Sequence, residues 1–118
     1  MSINIVMNKV NKPNFSIMRR LNVGDFHQEI KKRSSIIIDV RTPKEYKRGA
    51  IRGAFNFNFL SKKFIDNFKG LSKNEPLYVY CKSGEKSYNA SLKLSKLGFT
   101  NVFHLKGGYL TWMKKISV

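Results

Sequence analysis

Two short, nearly continuous apolar runs constrain this chain more than any other feature: Ile36 to Val40 (IIIDV) and Leu77 to Tyr80 (LYVY), each handed directly to a segment that can start a helix. Runs of four or five β-branched or aromatic residues suit strands covered on both faces, which is the environment of a parallel sheet between layers of helix. After the first run, Thr42, Pro43 and Glu45 spell a capping box with proline at the first helical position, so a short helix PKEYKRG is predicted. After the second comes CKSGEKS, then a helical stretch from Glu85 to Leu97 that carries Tyr88, Ala90, Ser91, Leu92 and Leu94 and ends at Gly98 as a C-terminal cap.

The rest of the chain continues the alternation. Val23, Phe26 and Ile30 recur at helical spacing through GDFHQEIKKR, with His27 and Lys31 expected to face solvent. AFNFNF (Ala54 to Phe59) alternates aromatic with Asn and reads as a strand covered on one face; Ser61 to Phe68 reads as one helix. A strand is expected at Asn101 to Leu105, and Gly107-Gly108 then opens a last helix whose Tyr109, Leu110, Trp112 and Met113 are expected in the core. Strands alternating with helices over short connections predict an α/β domain, a central parallel sheet flanked by helices on both faces. Residues 1–20 are polar, Asn-rich and broken by Pro13. They read as a partly extended arm, with a short strand at Ile3 to Met7, ahead of a domain spanning 21–118.

Composition bounds the chemistry. A chain of 118 residues with 42% hydrophobic content builds one core. No apolar run approaches the roughly 18 residues of a membrane span, and no signal-peptide core forms near the N-terminus, so a soluble, cytoplasmic protein is expected. One cysteine allows no internal disulfide and no thiolate pair for zinc, and His27 and His104 lie far apart in sequence. No metal and no cofactor is expected. With 23 Lys+Arg against 7 Asp+Glu, the net charge of +16 attracts anions of many kinds. Because the basic residues are dispersed and no stripe alternates with aromatics, the pattern reads against nucleic acid as a partner.

The lone cysteine, Cys81, opens the loop between a buried strand and a helix. That geometry turns successive backbone N–H groups and a helix N-terminus toward one point, where an anion is well held. Cysteines so placed ionise more readily than free ones, and Lys82 and Lys86 add charge of the same helpful sign. A lone cysteine is also often a small apolar core residue; the loop context favours the nucleophile.

Three segments resemble one family in order and spacing. IIDVRTPKEYKRGAIRGAFN resembles the first signature of the rhodaneses, VYCKSGEKS their active-site loop, and LGFTNVFHLKGGYLTW their C-terminal signature. The likeness covers roughly residues 21 to 116 and implies a single rhodanese-like domain. It also implies sulfurtransfer: the loop cysteine takes the outer sulfur of a donor such as thiosulfate, holds it as a persulfide, and passes it to cyanide or another thiophilic acceptor. Cys81 would then be the catalytic residue. The backbone amides of Lys82, Ser83, Gly84, Glu85, Lys86 and Ser87 would surround the persulfide, with the lysines attracting the donor and the serines donating hydrogen bonds or capping the helix. Asp39 and Arg41 match the family's DVR and are expected to form an ion pair that supports the loop. The implied partners are a small sulfur-containing anion and a protein that donates or accepts sulfur.

The chain departs from the pattern in two places. Many relatives read GHIPGA where this chain reads GAIRGA (Gly49 to Ala54), and loop positions where arginine is common carry lysine. Lysine offers no planar fork to an oxyanion, which leaves the donor open. Cysteine phosphatases need an arginine six residues after the nucleophile; Ser87 stands there, and the loop from Cys81 to Lys86 has only six residues, so a phosphate would be poorly clamped. A catalytically idle binding module is disfavoured by Cys81 itself. The alternative to a thiosulfate enzyme is a carrier that relays persulfide sulfur from a cysteine desulfurase to a partner protein or tRNA-modifying enzyme.

Overall fold

The computed structural model describes residues 17–32 and 35–116. Five strands, β1 (Ile17–Leu21), β2 (Ile36–Asp39), β3 (Phe55–Asn56), β4 (Leu77–Tyr80) and β5 (Asn101–Leu105), form one sheet in the order β1-β5-β4-β2-β3. Every neighbouring pair is parallel. Among the described residues four α-helices connect and cover them: α1 (Val23–Lys31), α2 (Pro43–Arg48), α3 (Glu85–Lys96) and α4 (Gly108–Lys115).

The strands sort their side chains by parity, as a pleated strand must. Ile38, Leu77, Val79 and Val102 face one core with Ala90 and Leu94 of α3, while Ile37, Tyr78, Tyr80 and Leu105 face the other with Val23 and Phe26 of α1 and Trp112 of α4. Because β2 and β4 are covered on both sides, they need the continuous apolar runs that the sequence supplies. On the α3 side the core is closed by an aromatic chain, with Phe64, Phe68 and Phe99 in successive edge contacts of 5.0 and 6.0 Å between ring centroids.

Helix α2 begins as the sequence predicts. Thr42 Oγ1 accepts from the Glu45 amide at 3.3 Å, and Glu45 Oε1 accepts from the Thr42 amide at 3.1 Å. That amide, more than any other group, holds the Glu45 carboxyl below its ordinary value. Replacing Thr42 by alanine is expected to cost about 1 kcal/mol, a fall in Tm of roughly 4 °C for a domain of this size. A carboxylate with a lowered folded-state pKa stabilises above its unfolded value and loses that contribution as the pH falls through the folded one. Thermal melts of the parent and Thr42→Ala should therefore draw closer in acid.

Several elements differ from expectation. The strand expected over Ala54 to Phe59 is regular only at Phe55–Asn56, where the Asn56 side chain donates to the carbonyls of Asp39 and Arg41. The helix expected over Ser61 to Phe68 is a single 3-10 turn, Ile65–Phe68, preceded by turns; the Asn67 side chain donates to the carbonyls of Lys63 and Phe64, competing with helical bonds there. Residues 17–20, read as part of the arm, belong to β1, which pairs with β5 from Ile17↔Asn101 to Leu21↔Leu105. The strand expected at Ile3 to Met7 lies outside the described residues. Of the α4 residues expected in the core, Trp112 is buried but Leu110 and Met113 are half exposed. His27 is half buried, edge-on to Trp112 at 5.2 Å, rather than turned fully to solvent.

Candidate active site

The site forms where the C-terminal ends of β2 and β4 meet the first turns of α2, α3 and α4, the end of a parallel sheet at which ligands characteristically bind. Cys81 follows β4 directly and is 2% exposed. Its Sγ accepts hydrogen bonds from the Gly84 amide at 3.1 Å and the Ser87 amide at 3.2 Å, and it lies 3.5 Å from Ser87 Oγ, to which the thiol donates. The Ser87 hydroxyl in turn donates to the Gly84 carbonyl at 3.1 Å. Among the described residues, two of the loop amides expected around the sulfur, Gly84 and Ser87, bond to it. Gly84 adopts φ +107°, a conformation that side chains rarely enter, and this lets the chain fold back over the sulfur as α3 begins.

The loop is held from behind by α4. The amides of Tyr109 and Leu110 donate to the carbonyls of Cys81 and Lys82, at 2.8 and 3.1 Å. A trans peptide sets its N–H opposite its C=O, so carbonyls fixed toward α4 turn the next two amides to the other side of the loop. This packing requires glycine at 108. Its φ is +61°, and a Cβ there would lie 2.7 Å from the Cys81 carbonyl oxygen and closer still to that of Lys82. Gly108, read in the sequence as part of a helix start, thus sets how closely α4 approaches the loop.

In front of the sulfur lies a small pocket of about 140 Å³, lined by Arg41, Glu45, Lys82, Ser83, Glu85 and Lys86 besides Cys81. Lys82, Ser83, Glu85 and Lys86, expected from the sequence, are all on its wall and exposed to solvent. Ser87 is buried behind the sulfur. Glu45 was not anticipated; only its capping role is visible in sequence.

Asp39 and Arg41 form the expected ion pair, and it is buried, at 0% and 6% exposure. Arg41 Nη2 bonds Asp39 Oδ2 at 2.6 Å and Nε bonds Oδ1 at 3.0 Å, while Nη2 also donates to the Gly49 carbonyl at 2.6 Å. Tyr80 Oη donates to Asp39 Oδ2 at 2.7 Å and accepts from the Ile51 amide at 3.0 Å. The guanidinium carbon sits 4.3 Å from the centroid of the Tyr109 ring. Burial, reinforced by the Asp39 charge, raises the Tyr80 phenol above its ordinary value and keeps it a neutral donor. For Arg41 burial works in the opposite direction, but Asp39 outweighs it and the guanidinium is held above its ordinary value. The pair ties the end of β2 to β4, α4 and the turn before β3, and leaves Arg41 on the pocket wall. Tyr80 and Tyr109 had no signal in the sequence beyond apolar patterning.

The family model of the rhodanese-like domain matches residues 22–115. The chain belongs to the rhodanese family. Among relatives of this rhodanese domain, a Schizosaccharomyces pombe protein provisionally named a mitochondrial thiosulfate sulfurtransferase is 33% identical over 86% of this chain and 84% of its own length. The thiosulfate sulfurtransferase GlpE of Shewanella oneidensis is 34% identical over 82% of this chain and 94% of its own. In structure, the domain superposes on the rhodanese-related protein of Thermoplasma volcanium with a TM-score of 0.72 at 28% identity, covering 83% of this chain and 93% of that one. The tRNA uridine(34) hydroxylase of Pelagibacter ubique is 33% identical over 75% of this chain and 30% of its own length, and two further relatives carry the same name. Rhodanese domains related to this one thus occur in proteins named for action on tRNA, which overturns the compositional argument against nucleic acid. Dispersed lysines were a poor guide because net charge reports a field and not an interface. Among the described residues no helix is long and apolar enough to cross a membrane.

Proposed function

We propose that this protein is a sulfurtransferase that moves a sulfane sulfur from thiosulfate or a related donor to a thiophilic acceptor, cyanide or a thiol, through a persulfide on Cys81. The observation that carries this reading is the pair of backbone N–H groups aimed at Cys81 Sγ on the floor of a small pocket walled by Arg41, Lys82 and Lys86. Fixed dipoles of this kind stabilise an anionic sulfur without reorganising during reaction.

In the proposed cycle the Cys81 thiolate attacks the outer sulfur of thiosulfate. A new S–S bond forms, the bond to the oxidised sulfur breaks, and sulfite leaves with the bonding pair. The terminal sulfur of the persulfide keeps one negative charge. Cyanide then attacks that terminal sulfur, thiocyanate departs, and the thiolate is regenerated, so no external oxidant or reductant enters. Arg41 Nη1 has no hydrogen-bond partner among the described residues and is suited to an oxyanion oxygen, while Lys82 and Lys86 are suited to drawing the dianion in.

Replacing Lys82 and Lys86 together by glutamine is expected to raise KM for thiosulfate several-fold with a smaller change in kcat, and to flatten the dependence of kcat/KM on salt. Steady-state kinetics across an ionic-strength series check this; an unchanged KM would assign both lysines to the solvated surface.

A second reading is favoured by the relatives named for tRNA chemistry and by the net charge of +16: a carrier that takes persulfide sulfur from a cysteine desulfurase and hands it to a partner protein or tRNA-modifying enzyme. Competitive loading of Cys81 from thiosulfate and a desulfurase, with isotopically distinct sulfur, separates the two. Faster loading from thiosulfate supports the enzyme, and strong preference for the desulfurase supports the carrier.

A further inference from the structure

A second cavity lies on the other side of the Cys81 loop, and sulfur chemistry makes no use of it. It measures about 380 Å³, within the size range of small-molecule sites. Ser83 and Glu85 border both it and the Cys81 pocket, so the two openings are neighbours across a narrow ridge of the loop.

Its walls come from the ends of the two strands at one side of the sheet and from the first turns of α3. Arg20 of β1 and His104 of β5 are paired in register, and Lys106 follows β5. Arg20 and Lys106 are exposed, and neither joins an ion pair among the described residues. Glu85 is the one carboxylate on the rim. Tyr88, from α3, is 45% exposed, and its ring stands edge-on to His104 at 5.6 Å. His104 itself is 3% exposed, and among the described residues its Nδ1 has no hydrogen-bond partner. Burial, with a smaller contribution from Arg20, lowers the His104 pKa, so the ring is neutral at physiological pH. A buried polar atom without a partner calls for a physical reason; the residue that carries it lines an open cleft together with two exposed cations and an exposed aromatic ring.

We propose that this cleft binds a phosphorylated nucleotide next to the Cys81 loop, with Arg20 and Lys106 on the phosphate and Tyr88 against the base. Two unpaired cations on one rim match a phosphate. An exposed aromatic side chain beside them supplies a stacking face that accepts any base. His104 lines the cleft beside Tyr88 and contributes its ring to that wall. The inference concerns binding alone and stands or falls independently of persulfide formation.

The test is a 1H–15N titration of the full chain with adenosine 5′-monophosphate, with inorganic phosphate and adenosine as separate arms. Expected are saturable shifts centred on Tyr88, His104 and Gly107, with the nucleotide binding at least fivefold more tightly than either fragment. Arg20→Gln with Lys106→Gln should weaken the nucleotide about tenfold, and Tyr88→Ala should reduce it toward the affinity of phosphate. Lys62→Gln with Lys63→Gln removes the same charge elsewhere and should change little. Among the described residues the side chains of Arg20, Lys106, Lys62 and Lys63 join no ion pair, and Tyr88 packs its ring against His104, so superposable spectra of the free variants verify their folding. The proposal is overturned if phosphate binds as well as the nucleotide, if shifts centre on Lys82 and Lys86 instead, or if the two double variants weaken binding equally.

Discussion

Replacing Cys81 by serine is expected to abolish sulfurtransfer, lowering the thiosulfate:cyanide rate about a thousandfold or more, to background. The substitution changes little else. Serine fits a site where Sγ is held by the amides of Gly84 and Ser87 and lies beside Ser87 Oγ, and its hydroxyl can use the same partners. It cannot carry a sulfane sulfur, and it is a far weaker nucleophile than a thiolate. The readouts are activity together with a thermal melt. Appreciable turnover by a folded Cys81→Ser protein would remove Cys81 from the reaction, and with it the proposed cycle.

The second large effect falls on stability. Arg41→Leu is expected to cost about 3–5 kcal/mol, because it leaves the Asp39 carboxylate, 0% exposed, without its counter-charge. Tyr80 and the backbone amide of residue 41 would remain as donors, but two neutral groups do not replace a bidentate guanidinium. The same change removes the bond to the Gly49 carbonyl and the contact with the Tyr109 ring, so the turn before β3 and the start of α4 should loosen together. Adding Asp39→Asn removes the stranded charge. The double variant should therefore recover part of the loss, a coupling of the kind that neighbouring residues show. Urea denaturation of Arg41→Leu, Asp39→Asn and the double variant measures this; a loss below about 1 kcal/mol for Arg41→Leu would mean that the pair is already solvated.

What the sequence made legible here is what short-range physics controls. IIIDV and LYVY encode double burial by composition alone, and Thr42, Pro43 and Glu45 specify a helix start within four residues. Cys81 stands out in the sequence as a candidate because strand, glycine-bearing loop and helix follow one another without interruption. What remained hidden depends on contacts across the fold. Tyr80 looked like one more apolar strand residue, yet its hydroxyl joins Asp39, forty-one positions earlier, to the Ile51 amide. Gly108 looked like a helix start, yet its lack of a side chain lets α4 reach the carbonyls of Cys81 and Lys82. β1 carries Arg19 and Arg20 and lies at the sheet edge, so its sequence lacks the apolar signature of the central strands; only pairing with β5 reveals it. Over Ser61 to Phe68 the expected helix does not form: Phe64 and Phe68 are buried, but asparagine and serine side chains take up backbone groups that a regular helix would have used.

The central claim, that Cys81 receives a sulfane sulfur, is tested most directly by intact mass. The purified chain is incubated with thiosulfate, desalted, and weighed before and after treatment with a thiol reductant. The account predicts a gain of one sulfur atom that the reductant removes and that Cys81→Ser never shows. No gain from thiosulfate or from a persulfide donor, or a gain that persists in Cys81→Ser, would contradict it.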